Sequence, residues 1–224
     1  ADNFNYYDTN WKDQVIKKQT FSHNHSVSLS GGSKIFHLYA NAGYFYQDGL
    51  VSNNDYSRMT LRLNSDAQVT KWMKIGLDVN VRQSKAVNPC MDSPESIINK
   101  ALTFTPVLSG VNNDGTWGFG QNGDNPIAAA KAGGIKTGVT PELGIKGTIQ
   151  LKPFKGFDAM ASYSSRKVEY KSDYFIQPYD TYEKGVFKTS YPAAGNYKNE
   201  SWSQSVYNQF NLQASYEKTF AKNY

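Results

Sequence analysis

Period-two alternation, repeated through most of the chain, constrains the fold more than any other feature, because successive side chains of an extended strand point to opposite sides. From Met59 the odd positions read Met59, Leu61, Leu63, Ser65, Ala67 and Val69, while the even ones read Thr60, Arg62, Asn64, Asp66, Gln68 and Thr70. After Lys71-Trp72, Met73, Ile75, Leu77, Val79 and Val81 alternate with Lys74, Gly76, Asp78, Asn80 and Arg82. Each run is a strand with one dry and one wet side, and the two make a hairpin. Upstream, Val27 and Leu29 alternate with serines, Gly31-Gly32-Ser33 offers a positive-φ turn, and Phe36, Leu38, Ala40, Ala42 and Tyr44 form the next apolar row. Downstream, Leu143, Ile145, Ile149 and Leu151 alternate with Glu142, Lys146, Thr148 and Gln150; Pro153 to Gly156 turns the chain; and Phe157, Ala159, Ala161 and Tyr163 continue. A last run sets Val206, Phe210, Leu212, Ala214 and Tyr216 against Tyr207, Gln209, Asn211, Gln213 and Ser215. Seven strands are predicted.

The alternation lasts about ten to thirteen residues per strand, longer than the five or six of an average soluble strand and sufficient for the roughly nine to eleven of a tilted bilayer-crossing strand. Connections alternate in size: residues 31–34, 70–72 and 153–156 are tight, whereas 47–56, 85–139 and 171–202 are long. Transmembrane barrels have this asymmetry, with short turns inside and long loops outside. Charges of both signs stand deep in the wet rows at Arg62, Lys74, Asp78, Arg82 and Lys146. A sandwich core could not hold them unpaired, whereas a water-filled lumen can, so these five are the candidate lumen wall and the apolar rows face lipid. Aromatic residues flank both edges: Trp72, Phe154, Phe157, Tyr216 and Phe220 at the tight turns, and Tyr44, Phe45, Tyr46 and Tyr56 opposite, as interface girdles would require.

Composition closes other routes. Nothing in the 224 residues approaches the ~18–20 uninterrupted apolar positions of a membrane helix, and no charged-then-apolar leader opens at Ala1. A single cysteine, Cys90, excludes a disulfide framework and a cysteine metal cluster. The net charge of +5 comes from 24 basic and 19 acidic residues scattered singly, so no nucleic-acid patch is expected.

Within the long loop, Ser93 as cap, Pro94 at the first helical position and the stripe Ile97, Ile98, Ala101, Leu102 predict a short helix on the rim, stopped by Pro106. Asn112 to Gly115 is a turn cluster. The segment from Trp117 to Pro126 then gathers aromatics, amides and a carboxylate, the groups that recognise sugars; Trp117, Asn122, Asp124, Tyr179 and Tyr182 are the candidate ligand contacts. The alternative is a self-packed loop anchored by its Trp. Gly118 to Gly123 spells the dinucleotide fingerprint, but no apolar strand runs into it and no parallel βαβ unit surrounds it. His23 and His25 share a strand face without an indicated third ligand, with His37 on another strand, so a rim position is expected. No nucleophile elbow or paired hydrolytic carboxylates appear, Asp78 and Glu142 being spread along the wet rows. The chain reads as neither an enzyme nor a holder of cofactor or metal.

Asn10-Trp11-Lys12-Asp13-Gln14, the run from Asn24 to Ser33, Gly43-Tyr44, Gln47-Asp48-Gly49, Asp55 to Arg58, Leu61 to Asn64 and Trp72 to Gly76 together resemble the barrel of SusC/RagA-type TonB-dependent outer-membrane transporters, in family order over about eighty residues. Asn125-Pro126 and the stretches Asn208-Gln209-Phe210 and Tyr216 to Phe220 extend the resemblance more loosely. It implies an all-β antiparallel transmembrane barrel in the bacterial outer membrane that imports oligosaccharides or peptides, with a plug domain, a SusD-like surface lipoprotein outside and TonB supplying energy through an N-terminal region. The whole of 1–224 reads as part of such a barrel domain, since the family's barrel has about twenty-two strands. No plug or TonB box is seen, so gating and energy coupling are expected elsewhere. Two alternatives stay open: a soluble all-β glycan-binding or adhesin module, whose apolar rows would pack on a second sheet, and a passive porin.

Overall fold

A computed structural model describes residues 7–219. Its elements in chain order are α1 (Trp11–Val15), β1 (Ser22–Gly32), β2 (Phe36–Asp48), β3 (Asp55–Thr70), β4 (Met73–Pro89), α2 (Pro94–Thr103), β5 (Trp117–Gly118), α3 (Pro126–Lys131), β6 (Gly134–Leu151), β7 (Phe157–Ile176), β8 (Tyr179–Glu183), β9 (Val186–Tyr191) and β10 (Tyr197–Tyr216). The seven long strands form one sheet in the order β1-β2-β3-β4-β6-β7-β10, every neighbour antiparallel. The sheet is open, with β1 and β10 as its edges.

Antiparallel partners share a face, so register decides whether seven alternating strands add up to one surface. They do. Leu29, Ala40, Leu63, Val79 and Ile145 stand opposite one another on five successive strands. Phe36, Ala67, Ile75, Ile149, Ala161 and Leu212 make another row across six. No second layer of the described residues covers this face, and Leu29, Leu77 and Leu212 remain 67%, 43% and 72% exposed.

The buried core lies off the sheet, among the loops of one edge. Trp11 and Val15 of α1, Val51, Ile97 and Ala101 of α2, and Ile127 and Ala130 of α3 form it. Helix α2 begins as expected, the Ser93 hydroxyl accepting from the Ser96 amide at 3.2 Å and Pro94 filling the first helical position. It packs against α1 and α3 at one edge of the sheet, and Leu102, assigned to its apolar stripe, is exposed. The two other helices escaped the sequence reading. Helix α3 is introduced by Asn125-Pro126, a capping amide followed by a proline that needs no amide partner.

Three boundaries differ from expectation. The first hairpin turns at residues 33–35, and neither Gly31 nor Gly32 has positive φ. Gly32 is needed for another reason: a Cβ there would stand 2.5 Å from the Phe36 carbonyl oxygen across the hairpin. The strands also outlast the alternation, reaching 16 to 20 residues in β3, β4, β6, β7 and β10, because backbone pairing needs no dry face to continue. The loops shrink accordingly to 49–54, 90–133 and 177–196. Within the last, β8 and β9 form a hairpin closed by Lys184 and Gly185, both at positive φ (52° and 76°), as a two-residue turn requires.

Candidate functional site

The even-numbered rows of β3, β4, β6 and β7, with the odd-numbered row of β2, put the polar residues on one face. Arg62 stands opposite Asn80, Lys74 opposite Gln150, Asp78 opposite Lys146 and Arg82 opposite Glu142, so the five candidate wall residues share that face. Glu142 accepts from Arg82 Nη2 at 2.6 Å and from Arg166 Nε at 2.7 Å, its side chain only 13% exposed between them. Asp66 takes Lys74 Nζ at 3.0 Å and lies 3.0 Å from His37 Nδ1. Asn64 accepts from Arg62 Nε at 2.8 Å and donates to Asp78. Asp158 accepts from Gln150 and pairs with Lys152 at 3.0 Å. Solvated pairs of this kind stabilise little, about 0–1 kcal/mol each, but they fix where the guanidinium groups point. Glu142 and Arg166 as a clamp were not found from sequence: both sit in wet rows, and only register joins residues 24 apart.

The opposite face is an apolar band with a definite upper limit. On β4 it runs from Met73 to Val81 and gives way to Gln83 and Lys85; on β7 it ends where Lys167, Glu169 and Lys171 begin, the glutamate pairing with both lysines. Lys85, Val139, Lys171 and Trp202 then share one cross-strand row, so charge and an indole occur at the same level. Tyr44 and Tyr46 stand near that limit on the apolar face, each within 5.6 Å of the His23 ring, which stacks on Tyr46 and meets the His25 ring tilted at 4.9 Å. Phe45 and Tyr56 are a correction to the expected girdle. They lie on the polar face, 6.1 Å apart with Arg58 over Phe45, since a residue between Tyr44 and Tyr46 must point the other way. At the tight-turn edge Phe154 meets Phe157 at 5.1 Å and Tyr216 at 6.3 Å. Phe220 lies outside the described residues. Among the described residues no group of three or more His, Cys, Asp or Glu is placed to hold a metal ion.

The two long loops are joined into one unit. Strand β5 of the first pairs in parallel with β8 of the second, Trp117 opposite Thr181 and Gly118 opposite Tyr182. The fully buried Asn125 fastens the junction. Its Oδ1 accepts from the Ile127 and Ala128 amides, its Nδ2 donates to the carbonyls of Gly110 (2.6 Å) and Gly118 (2.9 Å), and its backbone meets the Tyr179 hydroxyl. The glycine run from 118 to 123 therefore wraps a helix cap, and β5 pairs in no βαβ unit.

Four of the five candidate ligand residues enter this unit's internal contacts. Trp117 is half-buried against both loop clusters. Tyr179 is buried, which pushes its phenol well above the ordinary tyrosine range. Asp124 pairs with Lys100 at 2.7 Å, and the same ammonium holds Asp92 at 2.7 Å. Burial alone would lower the Lys100 pKa, but the hydrogen bonds to Asp124 and Asp92 outweigh it and leave it raised. Tyr182 meets Phe187 edge-on at 5.9 Å, and Asn122 is exposed at φ 56°.

No family model matches the chain. The TonB-dependent receptor P3 of Formosa agariphila is 33% identical over 131 residues, which cover 54% of this chain and 13% of the receptor. Two solved structures of the RagAB peptide importer, in its closed-closed and open-open states, superpose with TM-scores of 0.76 and 0.74 at 17% and 18% identity, each match covering 96% of this chain and 24% of the solved one. At that identity the likeness is one of fold, and the chain spans about an eighth of the curated relative and about a quarter of the solved chains. In sequence over half its length, and in fold over nearly all of it, the chain resembles a segment of a TonB-dependent outer-membrane transporter of the SusC/RagA type.

Proposed function

We propose that this chain is part of the wall of an outer-membrane β-barrel that imports oligosaccharide or peptide nutrients in a TonB-dependent manner. The observation that carries the reading is the uncovered apolar face. Met73 to Val81 is nine residues; at about 3.3 Å each that is about 30 Å along the strand, and a tilt of ~40° reduces it to ~23 Å, close to the ~25 Å apolar band of such barrels. Lipid is the solvent that such a surface fits. The opposite face, with Arg62, Lys74, Asp78, Arg82 and Lys146, lines the aqueous passage, and further strands pair with β1 and β10 to close the barrel, because open edges are not tolerated in hydrocarbon. The domain assignment of 1–224 to a barrel follows from this closure.

The joined loops shape the outer vestibule, with Asn122 as their exposed candidate contact, Trp117, Asp124 and Tyr182 half-buried beside it and Tyr179 supporting them from within. A SusD-like surface lipoprotein outside, and TonB acting through a region beyond these strands, are the partners the likeness to RagAB and to a TonB-dependent receptor supports. No catalytic step is assigned. Fractionation tests the reading: the full-length protein containing this chain should stay with outer membranes through high salt and come off only in detergent. Release by salt alone would return the case to a soluble adhesin-like module.

A further inference from the structure

Two arginines of the polar face are held so that their outer ends are left over. Arg62 spends Nε on Asn64 Oδ1 at 2.8 Å, and Arg166 spends Nε on Glu142 Oε1 at 2.7 Å, so among the described residues each keeps its pair of Nη groups for a bidentate acceptor. Arg62, Asn80, Gly144, Arg166 and Tyr207 occupy one cross-strand row. Gly144 leaves the floor between the arginines open, since a Cβ there would meet only Asn80, at 3.9 Å. The cleft above it is ≈ 420 Å³, a volume usual for small-ligand sites.

Charge in the cleft is unbalanced. Arg62, Lys146 and Arg166 face two carboxylates, Asp78 and Glu142. Glu142 is already shared with Arg82 behind the cleft, and Asp78 is engaged by the Asn64 amide. Lys146 has no ion pair or hydrogen bond among the described residues. A cationic surplus next to free guanidinium forks calls for an anion.

We propose that this cleft is a subsite for the carboxylate or sulfate of an acidic oligosaccharide in transit, an inference that rests on the importer reading above. A sugar fits better than an acidic peptide. The backbone groups under the row are already used in β3, β4, β6 and β7 pairing, so only side chains are free to recognise cargo, and a peptide finds no ladder to join. The flat ring of Tyr207, 60% exposed beside Arg166, together with Asn80 and Ser164, offers a pyranose a face and hydroxyl partners while its acid meets the arginines.

The test is equilibrium binding to the full-length protein in detergent, using trigalacturonate, maltotriose and triaspartate as probes. Trigalacturonate should bind best, weaken as salt is raised, and lose about tenfold or more in affinity in the double variant R62Q/R166Q. Lys146→Gln, which removes an exposed and unpaired cation, should weaken it too and guards against a folding artefact in the double variant. Trigalacturonate binding no better than maltotriose, or unchanged in all the variants, overturns the subsite; triaspartate binding as well as trigalacturonate overturns the acidic-sugar assignment. Because binding is read in detergent, failure of the importer reading shows separately, as salt release of the protein from membranes.

Discussion

Asn125 does more for this chain than any single candidate contact chosen from its sequence. Its buried side chain satisfies two helix amides and two loop carbonyls. Asn125→Ala removes a cap, about 1 kcal/mol, and orphans buried carbonyls at a further 1–3 kcal/mol. Hydrogen exchange on the full-length protein should therefore show residues 90–133 and 177–196 opening together, while β3 and β4 keep their protection. Lys100 and Tyr179 give the same loops a pH limit. Both have raised pKa values in the folded state, so their contributions are fully present below the ordinary values of about 10.4 and 10 and are lost as pH rises through the raised ones. Loop protection should hold to about pH 10 and fall above it. Lys100→Met should weaken protection at neutral pH and flatten the lysine part of that fall.

Among the elements, the sheet was written in the sequence, and of the loops only α2 was. Alternation is a local code, and β3 and β4 show it at nearly every position, so strand identity, turn edge and polar face could be read directly. Strand ends could not be, because backbone ladders in β7 and β10 continue where Lys167 and Gln204 no longer alternate with a wet row. Of the helical cluster, α2 was legible from its cap and stripe, whereas α1 with five residues and α3 with six were too short to display a period. Their caps were the available signal, as was Lys184-Gly185 for the β8–β9 hairpin. The Arg82–Glu142–Arg166 clamp depends on the pairing of β4 with β6 and β7, which no local pattern encodes. Face assignment is testable at this scale. Leu77→Arg, in mid-band on the apolar face, should cost about 2–4 kcal/mol and impair outer-membrane assembly of the full-length protein, whereas Asn80→Arg, on the polar face, should be mild. Equal defects in heat-modifiable gel migration would contradict the assignment.

At the scale of the whole molecule, the sheet leaves two kinds of surface unsatisfied at once. The apolar face exposes Val27, Leu61, Ile149 and Phe210, and β1 and β10 each present a free edge, that of β10 twenty residues long. Either alone favours association in water: the face by removing apolar area from solvent, at about 25 cal/mol per Å², the edge by pairing exposed amides and carbonyls. The helical loop unit buries its own core and cannot shield them, since it sits at one edge of the sheet rather than over it. The polypeptide 1–224 produced alone should therefore sediment as large oligomers in aqueous buffer and become dispersed in detergent micelles. Sedimentation velocity decides between the two solvents: a monodisperse, detergent-free monomer would require the apolar rows to be covered from within, which is the sandwich geometry that the register of these seven strands does not provide.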